Sequence, residues 1–234
     1  MNKTRALPEP HKYAVCSPAD MPIKNFYKGF FDEVFIFFHP FIKPLTIDIK
    51  SFFSDSYPCK NDVISTCELV TWTAFTEKSG IAGFHQLDIG LRTLILGLKK
   101  EFANETLAKL IKDTCEQMNL VYPTEGCFLE LLTNTFLEAV KNEGYDWLWV
   151  GDEFCTERKL MFIDDLIKEN NPFGVQHINL FTHDNRILIT THWDSHFSMK
   201  CSDRNTIDRI VGFGSLEGFY CNDKTEIYWS LQNE

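Results

Sequence analysis

GVQHINLFTHDNRILITTHWDSHFSMKC, residues 174–201, is the stretch whose reading decides the fold. From Gly174 onward apolar and polar residues alternate with a period close to two, which predicts strands near 175–182, 186–192 and 196–201. Asp184-Asn185 between the first two is turn chemistry, since both residue types tolerate a left-handed backbone. The run from Arg186 to Cys201 is longer than a usual strand, so a break is expected near Trp193-Asp194-Ser195. Downstream, Ser202 caps a short helix over 203–211, and strands follow near 217–221 and 225–231 with Asn222-Asp223 at the turn.

Upstream of residue 174 the pattern changes to helical spacing. Trp147 to Val150 reads as a buried strand after Gly144, and Thr156 starts a helix through Leu160, Ile163 and Ile167. Four helices are expected in residues 62–143. The first is capped by Asn61 or Asp62 and stopped by Gly80; the second carries the stripe Leu87, Leu91, Leu94, Ile95, Leu98 and Phe102. The third is capped by Asn104 and the fourth by Thr124. Phe26 to Phe38 fits a helical face, although Val34–Phe38 would equally suit a buried strand; the helical reading is preferred, with Pro40 as its stop. Pro40 and Pro44 frame a short extended piece, and 51–60 reads as loop. Pro8, Pro10, Pro18 and Pro22 make residues 1–25 an extended arm.

These elements predict an α+β protein with a helical amino-terminal half packed on a mostly antiparallel carboxy-terminal sheet. A length of 234 residues admits one large domain or two small ones. No Pro/Gly/Ser stretch marks a boundary near 144–150, so residues 26–234 are read as a single domain after the arm. The 21 phenylalanines imply a core of large flat side chains that tolerates little truncation.

Twenty-three basic against 33 acidic residues give a net charge of -10, which repels phosphate backbones and anionic membrane surfaces. Nucleic acid and membrane are therefore not the expected partners; a protein partner is. The most apolar run, Val34 to Phe38, is far shorter than a membrane helix needs, and residues 1–24 lack the order of a secretory signal. The eight cysteines contain no C-x-x-C pair, which fits small buried hydrophobes kept reduced in a cytoplasmic chain.

The densest set of ligand-type side chains is His177, His183, His192, Asp194 and His196. On an extended chain His192, Asp194 and His196 share one face, and such a set could hold a divalent metal that acidifies a bound water. An ordinary half-buried strand predicts the same polar positions. Asp152 and Glu153 follow a predicted strand, where carboxylates can act as acid and base; the local account is that they favour the loop and the following helix start. Gly212, Gly214 and Gly218 do not have dinucleotide-loop spacing, and no phosphate loop, serine elbow or H-E-x-x-H motif is present. Trp147, Trp149, Trp193, Tyr220, Tyr228 and Trp229 could line a pocket or a partner-facing surface, or serve as core.

The stretches His192–Phe197, Leu216–Cys221 and Thr225–Trp229, with Phe38–Phe41 beside them, resemble an uncharacterised domain-of-unknown-function family of Bacillus-type Gram-positive bacteria. That resemblance implies a bacterial, cytoplasmic origin and carries no catalytic residues. Two functional expectations follow. One is a non-enzymatic interaction protein of immunity or regulatory type, with no cofactor. The other is a metal-dependent hydrolase using His192, Asp194 and His196 as ligands and Asp152 or Glu153 as base.

Overall fold

The computed structural model describes residues 12–54, 57–170, 172 and 177–232. A strand close to the amino terminus lies inside its sheet. Residues Glu33–Phe38 form β1, and every residue from Val34 to Phe38 is buried. The run that also fits a helix is a strand because both of its faces are covered: Val34, Ile36 and Phe38 enter one apolar layer, Phe35 and Phe37 the other. Among the described residues only a four-residue helix, α1 (Ile23–Phe26), precedes it. The expected arm is thus partly folded against the protein, with Ala14 and Ile23 buried; residues 1–11 lie outside those described.

β2 (Phe41–Pro44) pairs with β3 (Cys67–Val70) as a separate two-stranded ribbon. The long helix expected from residue 62 to Gly80 is therefore two helices, α2 (Lys60–Thr66) and α3 (Trp72–Ser79), divided by β3. Thr71 restarts the helix by accepting the Ala74 N–H on its hydroxyl, and Gly80 ends it in the left-handed region as expected. α4 (Phe84–Leu94) stops short of Phe102. α5 (Glu105–Met118) is capped by Asn104 as its sequence predicts. α6 (Glu130–Asn142) begins after Leu129, not at Thr124, whose carbonyl is used elsewhere.

β4 (Trp147–Asp152) is the expected buried strand. The helix expected from Thr156 is β5 (Arg158–Phe162) followed by the short α7 (Ile163–Lys168), because 158–162 completes a hairpin with β4. β6 (His177–Phe181), β7 (Leu188–Thr191) and β8 (Phe197–Ser202) follow the period-two reading, with Asn185 at positive φ in the turn. α8 (Arg204–Gly214) is capped by Asp203, and β9 (Gly218–Tyr220) is the last strand. Residues 225–231 keep the alternating burial of the expected strand, with Thr225, Ile227 and Trp229 buried, but form turns and a short 3-10 segment.

The seven-stranded sheet has the order β5-β4-β6-β7-β8-β1-β9 and is antiparallel throughout, so the protein is α+β. The amino-terminal half is not purely helical, since β1 sits inside that sheet. Helices α3, α4 and α5 cover one face, and α2, α6, α7 and α8 the other. The phenylalanine excess is spent on ring contacts in the first layer: Phe38 stacks on Trp72 at 4.2 Å and Phe41 on Phe75 at 3.9 Å.

β9 lies so close to β1 that a Cβ at position 218 would fall 1.9 Å from the Ile36 carbonyl oxygen. Gly218→Ala is expected to lower unfolding free energy by about 2–4 kcal/mol. Gly212→Ala, in an open position on α8, should raise it by up to about 1 kcal/mol. Denaturant titration of the two variants checks both signs.

Candidate functional site

β7 and β8 are joined by residues 192–196, and this link is where polar chemistry concentrates. The common face that an extended chain would give His192, Asp194 and His196 does not form. The Ser195 N–H bonds to the His192 carbonyl at 3.1 Å and closes a turn. Among the described residues no three of His, Cys, Asp and Glu form a group that could hold a metal ion.

The turn is gripped from below by Arg92, which projects from α4 and has no exposed surface. Its guanidinium donates to the Asp194 carbonyl (2.8 Å), the Ser195 Oγ (3.1 Å), the Ile227 carbonyl (2.9 Å) and the Asp88 Oδ2 (2.8 Å). Asp88 lies one turn earlier on the same helix and also accepts the Ser230 hydroxyl at 2.6 Å. The ring of Tyr228 lies 4.8 Å from the guanidinium carbon, and Phe197 lies 5.7 Å away. A buried guanidinium with this many acceptors is satisfied, whereas removing any one would leave a desolvated donor.

From above, the segment 123–126 closes over the same turn. Gly126 donates its N–H to the Ser195 carbonyl at 3.1 Å, with φ +64 and with the Trp193 oxygen 2.5 Å from where a Cβ would sit. The Pro123 carbonyl accepts from His196 Nδ1 at 3.0 Å, and the Thr124 carbonyl from His39 Nδ1 at 2.7 Å. A carbonyl only accepts, so both imidazoles carry their proton on Nδ1. His39 Nε2 then accepts from the Ser198 hydroxyl (2.7 Å), which accepts in turn from Thr191 (2.5 Å). This is the polarity of a nucleophile and its base, but all three residues have no exposed surface, so the chain links β1, β7 and β8 without reaching a substrate.

His192 works the other way round: its Nδ1 accepts the Asp194 N–H at 3.2 Å. Burial pushes His39, His192 and His196 each down to about 4, with Arg92 adding to the effect at His192. Trp193 is the exception, 58% exposed and stacked at 5.9 Å on His192. Beside it, burial raises the carboxyls of both Asp194 and Glu125, and the two negative charges push Glu125 further.

Asp152 and Glu153 lie at the same end of the sheet, with β6 between them and β7. The Asp152 carboxylate is taken up by its own loop, accepting from the Thr156 N–H (2.7 Å), the Thr156 hydroxyl (2.6 Å) and the Glu157 N–H (3.2 Å). Glu153 is exposed, and its backbone oxygen accepts from Asn179. His183 edges against Tyr145 at 5.8 Å, away from the turn.

Sequence reading did not single out Asp88, Arg92, His39, Ser198 or Lys200. A visible signal for the first two is their i, i+4 spacing, each directly after a leucine (Leu87, Leu91) of an apolar helix stripe. Lys200 has none, because it occupies an ordinary alternating position. It is fully buried on the sheet face of Phe35 and Phe37, its Nζ 5.1 Å from the Phe37 ring, and that atom has no hydrogen-bond partner. Burial brings its pKa down to about 7. Lys60 shows the contrast: its buried ammonium donates to Asn134, Leu166 and Ile167.

Residues 19–231 match the family described as "Protein of unknown function (DUF2711)", and the chain belongs to that family. No curated protein and no solved structure matches the chain.

Two pH effects follow from these groups. An unfolded imidazole takes up its proton near pH 6.5, but the three buried ones resist until about 4. The unfolded chain binds protons first, so stability is expected to fall steadily as pH drops through that window. Lys200 acts by the same rule: between about 7 and 10.5 the unfolded amine is charged and the folded one is not, so its contribution to stability falls as pH drops; above about 9 the buried thiols, Cys16 and Cys115 pushed up to about 12 among them, act in the opposite direction. Lys200→Met should remove the upper slope and stabilise the protein by about 2 kcal/mol at pH 7. Urea midpoints measured from pH 4 to 9 test both; a slope between pH 7 and 9 equal in variant and wild type would contradict the assignment.

Proposed function

We propose that this protein is a non-enzymatic interaction module that holds a basic protein partner against the 192–196 turn, with Trp193 as the anchor. The observation that carries this reading is an exposed indole on a backbone fixed from both sides. Arg92 bonds the turn from within and Gly126 from above, so little ordering entropy remains to be lost when a partner covers the ring.

The surroundings favour a cationic partner. Asp194 and Glu125, next in the chain to Trp193 and to Gly126, carry carboxyls that burial already disfavours as anions, and a nearby Lys or Arg would relieve that cost. A chain charge of -10 would steer such a partner in and discourage nucleic acid. All eight cysteines are free, which accords with residence in a reducing, bacterial cytoplasm. No helix among the described residues is long and apolar enough to cross a membrane. A metal-dependent hydrolase would have to use the Nε2 atoms of His192 and His196, since both Nδ1 atoms are hydrogen-bonded, and among the described residues no three of His, Cys, Asp and Glu form a group that could hold the ion.

Trp193→Ala and Asp194→Asn remove surface groups and should leave the fold intact. Each is expected to weaken capture of the partner by about tenfold or more in affinity purification, and wild-type capture should fall at high salt. Equal recovery by wild type and Trp193→Ala would remove the proposal.

A further inference from the structure

The two edges of the sheet differ. β9 is three residues long, and its Tyr220 is bonded to Asp208 of the helix before it. β5 is longer, and among the described residues no strand pairs with its outer side. Which of its backbone groups point outward follows from its pairing with β4. The Asp152 N–H bonds to the Glu157 carbonyl and the Ile163 N–H to the Asp146 carbonyl, so the bonded pairs of this hairpin involve residues 157, 159, 161 and 163. The amides and carbonyls of Leu160 and Phe162 therefore point away from the sheet.

The side chains on this edge are apolar as well. Leu160 is opposite Trp149 and Phe162 opposite Trp147 in the register, which sets all four on one face. Trp147 is 48% exposed and Leu160 is 47% exposed, because the helices of that face lie over the β1, β8 and β7 side. An edge that offers both unpaired backbone groups and large apolar side chains is a template for another strand.

We propose that β5 pairs antiparallel with β5 of a second copy of this chain, about a two-fold axis at Leu160, giving a dimer with one continuous sheet. The sequence of the edge is self-complementary in that register. Leu160 meets the partner's Leu160 through two N–H···O=C bonds, and Phe162 comes opposite the partner's Arg158. Lys159 comes opposite the partner's Met161, so no cation directly faces a cation. Each copy has an acidic excess of ten charges, and this seam is where it brings Arg158 and Lys159 together, which lowers repulsion between the two bodies. The surface is separate from the 192–196 turn and does not depend on the function proposed for it.

Sedimentation velocity on the full chain should give twice the 27.2 kDa monomer mass. Leu160→Cys should cross-link through position 160 itself on mild oxidation, since directly opposed residues lie about 5.5 Å apart, within disulfide reach. Leu160→Pro removes an outward N–H that bonds to nothing among the described residues of its own chain, so the variant should fold and be monomeric. Leu160→Lys serves as the second variant if circular dichroism shows that the proline form is unfolded. A monomeric wild type would overturn the proposal, with Arg158 and Lys159 then acting as guards of a solitary edge. So would a dimer that both variants leave intact, or one in which the cysteine does not cross-link.

Discussion

Arg92 is charged at any physiological pH and sits where no water reaches it, so its surroundings must supply every acceptor that it needs. Four acceptors come from three places in the chain: a carboxylate on its own helix, a carbonyl and a hydroxyl of the 192–196 turn, and the Ile227 carbonyl. One side chain thereby fixes the helix α4, the β7–β8 link and the carboxy-terminal segment relative to one another. The rest of the polar end of the sheet is built on that arrangement. His196 and Gly126 close over a turn whose shape the guanidinium has set, and Ser230 reaches the same carboxylate.

How far the fold could be read from sequence depended on what each residue faced. Strands with one polar and one apolar partner per step were legible, as were caps such as Asn104 and stops such as Gly80. Enclosure alone did not decide it, since β8 is buried throughout and still keeps that alternation in sequence. β1 has no polar face, because two helical layers cover it, and so the run Val34–Phe38 loses the alternation that would distinguish a strand from a helix. β5 failed for the opposite reason: it is an exposed edge whose Leu160 and Ile163 happen to fall three apart, a helical spacing that its pairing with β4 overrides. Residues 225–231 imitate a strand, but Ile227 and Trp229 are buried because they plug the α4 layer, and the Ile227 carbonyl is needed by Arg92.

The site was legible in place and not in arrangement. The histidine-rich link is where the chain concentrates its polar groups, and a break at Trp193-Asp194-Ser195 was expected from length alone. Side-chain direction after that break is set by distant partners, Pro123 and Arg92, which no local pattern encodes. Lys200 and Lys60 mark the limit of such reading. Both are buried amines, but one is surrounded by three acceptors and the other by rings and aliphatic groups, and the difference lies entirely in what other elements bring to them.

β1 lies near the start of the chain, and both of its neighbours lie near the end: it pairs with β8 at residues 197–202 and with β9 at 218–220. During synthesis the segment Glu-Val-Phe-Ile-Phe-Phe must therefore leave the ribosome and wait, with two greasy faces and two open edges, until some 160 further residues have been added. A chain cut short anywhere before β8 strands its most adhesive sequence without a mate. Exposed apolar faces and unpaired edges of this kind are what make incomplete chains in general prone to aggregate.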